Sequence, residues 1–407
     1  MVFELSNEQR AYFGLEPVLP HWEKVVLKGD AYRSESILYF EGDVIKRQIV
    51  STDLKYEEHQ YDDLTRGRIV LLPKTGKGKE KKLSASVLES RQPVGVYCII
   101  GSDGSTIVGN YDTQTTFYNA RWEYPFKKDT LAQSIERLVN GFIKNSPLNH
   151  LTEIAEFKHA RRKHQKFKTG DFFAFKISRT QYAFGRVLVD INLLKKRNVL
   201  SEEHGIGFLM AKPVLVKVYA YLSDHKYIDI DVLKNAPALP SDYMMDNLLL
   251  YGQYEVIGHS ELTPDEMDFP MSYGSHVSSG RLTSFLQWGL IHKELPKSVF
   301  NKYFAADNPF APKDRPSCPV TNPYGYYSIG FHPHNCYLYQ IEAAIENNNQ
   351  PYNNQQADFK SHFDLRNPSN KEIRDELMTA FGLDPAKNYD DNCRLTNTPT
   401  SQALLNL

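Results

Sequence analysis

Apolar runs of strand length open the chain. ILYFEGDVIKRQIV, residues 37 to 50, predicts strand, tight turn and strand, with Gly42-Asp43 supplying the turn chemistry. VYCIIGSDGSTIV, residues 96 to 108, repeats the pattern around Asp103-Gly104, and TTFYNARW, residues 115 to 122, continues the sheet. Residues 1–125 are therefore expected to form a small β-rich domain, whose role the pattern leaves open.

The period then lengthens. In DTLAQSIERLVNGFIK, residues 129 to 144, Leu131, Ile135, Leu138 and Phe142 recur at helical spacing, with Asp129 placed as N-cap. A second helix is expected from Asn149, with Leu151, Ile154 and Phe157 on one side, running into the basic KHARRKHQKFK of residues 158 to 168. Residues 126–165 read as a helical, basic connector.

Alternation returns in KFKTGDFFAFKISRTQYAFGRVLVDI, residues 166 to 191. Phe173, Phe175 and Ile177 fall on one face, Ser178 to Gln181 turn the chain, and Tyr182, Phe184, Arg186 and Leu188 share a side of the return strand. VLVKVYAYL at 214 to 222 and YEVIGH at 254 to 259 add strands, so residues 166–275 are expected to form a curled sheet or small barrel. Residues 276–407 read as a mixed α and loop extension packed on this second module. SVFNKYF (298 to 304) and SNKEIRDELMTAFG (369 to 382) are its expected helices, the latter with a Ser369/Glu372 capping box, an Ile373, Leu377 and Phe381 stripe and a Gly382 stop. The fold class is α+β: two mainly β modules joined by a helical connection, with helices in the C-terminal part.

Composition fits this outline. A chain of 407 residues exceeds one ordinary core, and 41% hydrophobic with 24% charged residues is a globular balance. Aromatics at 12%, led by 25 tyrosines, favour strands, and a net charge of −1 leaves electrostatic preference to local patches. Cys98, Cys318, Cys336 and Cys393 form no C-x-x-C pair and read as reduced thiols. MVFELSNEQR lacks a leader pattern, and no apolar run approaches the roughly 18 residues of a membrane span, so the expected location is the cytoplasm, with no membrane partner.

Candidate chemistry is sparse. No nucleophile elbow, dinucleotide turn or H-E-x-x-H pair occurs, and no catalytic residue, cofactor or metal is assigned. KTGKGKEKK, residues 74 to 82, lacks the phosphate-loop order and reads as a solvated loop. Lys158, Arg161, Arg162, Lys163, Lys166 and Lys168, with His159 and His164, could contact phosphates, but such runs more often mark a wet helix face. His332, His334 and Cys336 offer zinc-type donors without a complete ligand set. Arg186 reads as structural, stacked on a ring or paired with Asp171, and Gly185 as a bulge or close-packing position.

The strongest charge feature is acidic. Residues 217 to 268 hold ten carboxylates against Lys217, Lys226 and Lys234, with tyrosines interspersed. Asp229, Asp231, Asp242, Tyr243, Asp246, Asp265, Glu266 and Asp268 are the candidate partner-binding residues, and a merely solvated acidic surface is the competing reading.

GDFFAF at 170 to 175 and YAFGRVL at 182 to 188, followed by VLVKVYAYLSD, YEVIGHSEL and DEMDFP, resemble immunity protein 26, a family whose label also takes in HocA-type phosphotriesterases. The resemblance covers about residues 165 to 275, with Gly170, Asp171, Phe173, Tyr182, Gly185 and Arg186 as signature positions. It implies a mainly β protein encoded beside a bacterial polymorphic toxin, binding and blocking that cognate toxin without catalysis. Nucleases are one expected class of toxin. A metal-dependent phosphotriesterase-like hydrolase is the alternative, and nucleic-acid binding through residues 158 to 168 the second alternative.

Overall fold

The computed structural model describes residues 3–72, 79–123, 133–200, 204, 206, 212–275, 283–303, 337–346 and 364–407. Asp129, Leu131, the 74–78 part of the basic loop, and His332, His334 and Cys336 lie outside them. The chain divides into two compact units. The first comprises Met1–Gln165, Lys176–Gln181 and Leu250–Gln253; the second comprises Lys166–Phe175, Tyr182–Leu249 and Tyr254–Leu407.

The first unit is an antiparallel meander. Its strands are β1 (Glu23–Leu27), β2 (Ser36–Glu41), β3 (Val44–Ser51), β4 (Lys55–Arg66), β5 (Val70–Leu71), β6 (Lys81–Lys82), β7 (Val94–Gly101), β8 (Thr106–Asn110) and β9 (Thr115–Asn119), in the order β1-β2-β3-β4-β7-β8-β9 with β5 and β6 appended to β4. Both expected hairpins form, with Gly42 and Gly104 at φ +61° and +88° where the turns demand the left-handed region. One face, carrying Tyr39, Ile49, Tyr56, Val96 and Val108, buries the helices Ile135–Lys144 and His150–His159 through Ile135, Val139, Phe142 and Ile154. These helices thus pack on the sheet of the first unit. Ser134, not Asp129, caps the first, accepting from the Arg137 amide at 3.3 Å. Leu151 remains 48% exposed. The second helix ends at His159, so the rest of the basic run is irregular chain rather than a helix face. Within it, the Arg162 guanidinium lies 4.1 Å from the Tyr251 ring centroid, while Lys158 pairs with Glu16 at 2.9 Å.

A buried polar network ties this core together. Glu58 on β4 is fully buried and receives Arg47, the Tyr56 hydroxyl and Arg10 Nε, the last at 2.8 Å. Arg10 also reaches Glu4 at 3.1 Å. Two guanidiniums on one carboxylate satisfy a charge that would be very costly alone.

The second unit holds two antiparallel sheets. Strands β10 (Asp171–Lys176), β11 (Tyr182–Asp190), β12 (Pro213–Ser223), β13 (Asp242–Met245) and β14 (Glu255–His259) are ordered β13-β12-β11-β10-β14, an open sheet and not a closed barrel. Phe172, Ala174, Phe184 and Tyr219 pack with Leu233. Phe173 and Phe175 instead stack on Tyr254, with ring centroids 5.4 and 4.3 Å apart, as alternation requires. Strands β15 (Met271–Ser275), β16 (Thr283–Trp288) and β17 (Ile291–Pro296) form the other sheet, against the helix Lys371–Ala380.

Two C-terminal expectations change. The segment expected as the helix SVFNKYF starts as a turn after Pro296, because Phe300 is drawn into an aromatic cluster with Tyr273 and Phe381. Ser369 is not an N-cap. Pro368 starts a short 3-10 turn one step earlier, capped by Asn367, which accepts from the Ser369 amide at 3.0 Å. The stop at Gly382, φ +76°, is as expected.

Candidate functional site

The β10–β11 hairpin, with Gly170 just ahead of it, brings three of the signature residues, Gly170, Asp171 and Arg186, against one returning segment, residues 259 to 266. Gly170 adopts φ +91°, and its carbonyl accepts the Ser260 amide at 3.2 Å. A side chain there would strike the Ser260 carbonyl oxygen, so the position demands glycine on both counts. Asp171 is 5% exposed. Its carboxylate accepts the Lys168 amide at 2.8 Å and faces His259 Nδ1 at 2.8 Å, while His259 Nε2 lies 3.1 Å from Glu261.

Arg186 does not pair with Asp171. The β10–β14 register sets His259 opposite Asp171, which takes that carboxylate, and the guanidinium reaches past it. Arg186 NH2 donates to the carbonyls of Ser260 (2.7 Å) and Glu261 (3.0 Å), and NH1 pairs with Glu266. Its charge sits 4.5 Å from the centroid of the Phe172 ring, the stacking role open in the sequence. Lys217, directly across from Arg186 on β12, places its ammonium 3.8 Å from the same Glu266 oxygen. Burial lowers the Lys217 pKa, and Glu266 opposes that shift. Gly185 lies beside a register shift in the β11–β12 ladder. A Cβ there would strike the Phe173 ring and lie 2.7 Å from the Lys217 carbonyl. Tyr182, half-buried, packs at the edge of the Phe172 cluster.

The acidic candidates separate by environment. Tyr243 is 1% exposed, paired with Leu215 across β13 and β12, so its ring is core and cannot meet a partner. Asp268 is committed internally: it accepts the Ser241 amide and pairs with Arg366, both at 2.8 Å. Glu266 is likewise committed to Arg186. Asp242 accepts the Tyr243 amide at 2.7 Å, and burial raises the pKa of Asp246, with Lys212 opposing. Asp229 caps the helix Ile230–Lys234, and Asp231 pairs with Lys234 at 2.8 Å, yet both are exposed, as is Asp265. The segment is thus less acidic in space than in sequence, because Arg186, His259 and Arg366 enter from outside the counted lysines.

Chemically, the 259–266 node is a clasp. Its cations and carboxylates face each other, and among the described residues no group of three or more His, Cys, Asp or Glu side chains is placed to hold a metal ion. Sequence reasoning missed Lys217, His259, Glu261 and Arg366 as members of these pairs. For His259 and Glu261 the signal lay in plain view, since both stand inside YEVIGHSEL.

Comparison with known families places immunity protein 26 on residues 168–281. No curated protein and no solved structure matches the chain. The match spans the clasp and every exposed acidic candidate, and it supports a toxin-immunity role. The phosphotriesterase label finds no support in it. Among the described residues no helix is long and apolar enough to cross a membrane.

Proposed function

We propose that the chain is a toxin-neutralising immunity protein of a polymorphic toxin system, which binds its cognate toxin in the cytoplasm and blocks it without catalysis. The carrying observation is the coincidence of the immunity protein 26 match with the segment in which Gly170, Asp171 and Arg186 close on residues 259 to 266. Such a clasp holds a surface rigid, and rigidity lowers the ordering cost of binding. Exposed carboxylates on that module suit a toxin with a basic substrate-binding surface, as a nuclease has. Co-expression tests the reading: the neighbouring toxin is produced in a sensitive host with and without this chain. Survival only in its presence is the expected outcome, and equal killing in both would refute the proposal.

A further inference from the structure

The loop after β12 carries a side chain that the clasp does not use. Tyr227 is 64% exposed, yet it is not left loose. Its hydroxyl donates to Glu255 Oε1 at 2.7 Å, and the Lys226 ammonium sits 4.8 Å from the ring centroid while bonding Glu255 Oε2 at 3.0 Å. Burial alone would lower the Lys226 pKa, but the Glu255 bond and charge outweigh it and raise it, keeping the ammonium in place. Below, Leu233 is fully buried, and Ile228 and Ile230 pack on the Phe172 and Tyr219 cluster. The ring is thus tethered through its hydroxyl and the Lys226 contact before any partner arrives.

Its surroundings select the partner. Asp224 (79% exposed) and Asp229 precede and follow Tyr227 in the loop, and Asp231 (69%) and Val232 (43%) are exposed on the short helix that begins at Ile230. Over residues 224 to 234, with Glu255, four carboxylates face two lysines, and both lysines are already engaged by Glu255 and Asp231. A rigid tyrosine supplies contact area and a cation-binding face at low entropic cost, and carboxylates around it steer and orient a cationic surface.

We infer that residues 224 to 232 are the toxin-facing surface, with Tyr227 as its anchor, and that they receive a basic protein surface presenting an arginine or lysine side chain to the ring. This rests on the toxin-binding reading and names the surface that performs it. The test is calorimetric titration of the full-length chain with the toxin domain encoded beside its gene, at low and high salt. Tyr227→Ala should weaken binding by about 30-fold or more, as a central hot spot does, with an unchanged melting temperature. Asp224→Lys with Asp231→Lys, both on exposed side chains, should weaken it and flatten its salt dependence. If the wild type binds while both variants bind within twofold of it, this surface is wrong and the immunity reading stands. If the wild type does not bind, both fail. A homodimer that dissociates in Tyr227→Ala would assign the surface to a second copy and overturn the inference.

Discussion

Arg186 and Glu266, 80 positions apart, meet in an ion pair whose guanidinium is 1% exposed and whose carboxylate is 28% exposed. The pair, with the two carbonyls that the same guanidinium holds, fixes the end of the returning segment to the middle of the sheet. Glu266→Ala removes the carboxylate paired with a buried cation and leaves the Lys217 ammonium close by, so that the Ser260 and Glu261 carbonyls alone offset the charge. The expected loss is about 3 kcal/mol of unfolding free energy, read by urea denaturation. Arg186→Met removes the charge as well as the pair and should cost less than Arg186→Ala, which also opens a cavity over Phe172.

Close backbone approach gives a second prediction. Gly185→Ala places a methyl against the Phe173 ring of β10 and 2.7 Å from the Lys217 carbonyl, and that backbone carbonyl cannot retreat without moving β12. A loss of about 1–3 kcal/mol is expected. Gly42→Ala is the control. It carries turn strain at φ +61°, which Gly185 does not, but nothing lies within 4 Å of the added methyl, so a loss of about 1 kcal/mol is expected. Equal losses at the two sites would contradict the packing argument.

In the first unit, Glu58 is the hub. Glu58→Gln keeps the shape but faces Arg10 and Arg47 with a neutral amide, and about 3–5 kcal/mol of stability should go. The double change Arg47→Met with Glu58→Leu removes one cation with the anion, leaves Arg10 its pair with Glu4, and should recover part of it. Chemical denaturation of the single and double variants measures the difference.

Acid sensitivity should have a traceable source at His204. Burial pushes its pKa down to about 4, with His292 adding to the effect and a bond to the Leu290 carbonyl (2.7 Å) opposing it. The folded state therefore holds His204 neutral where the unfolded chain would protonate it. Stability from this group is complete above its ordinary value of 6.5 and is lost as pH falls towards 4, with a slope of at most about 1.4 kcal/mol per pH unit. His204→Gln should flatten the stability profile between those limits. An unaltered slope would exclude His204 as the cause.

Local signals carried much of this fold. Gly42-Asp43 and Asp103-Gly104 place two hairpins, and the alternation from Phe172 to Val189 places a third, because turn chemistry and period 2 are written in neighbouring residues. What failed was tertiary. Phe300 left a helical pattern for an aromatic cluster, and Pro368 shifted a helix start away from Ser369. The site was legible in part for the same reason. Gly170, Gly185 and Arg186 stand out as residue types that need a special environment. The identity of their partners does not, since Glu266, Lys217 and His259 are separated from them by 31 to 89 positions. Counting acidic residues along the chain also overstated the patch, because Asp268 and Glu266 find cations that no sequence window contains.

Inhibition of the toxin itself is the most direct measure of the central claim. Purified full-length chain is titrated into a fixed amount of the neighbouring toxin while the toxin's own activity is followed. Activity should fall linearly to zero at a fixed molar ratio, with a stable complex recovered at that ratio. Full toxin activity in the presence of excess chain would contradict the account.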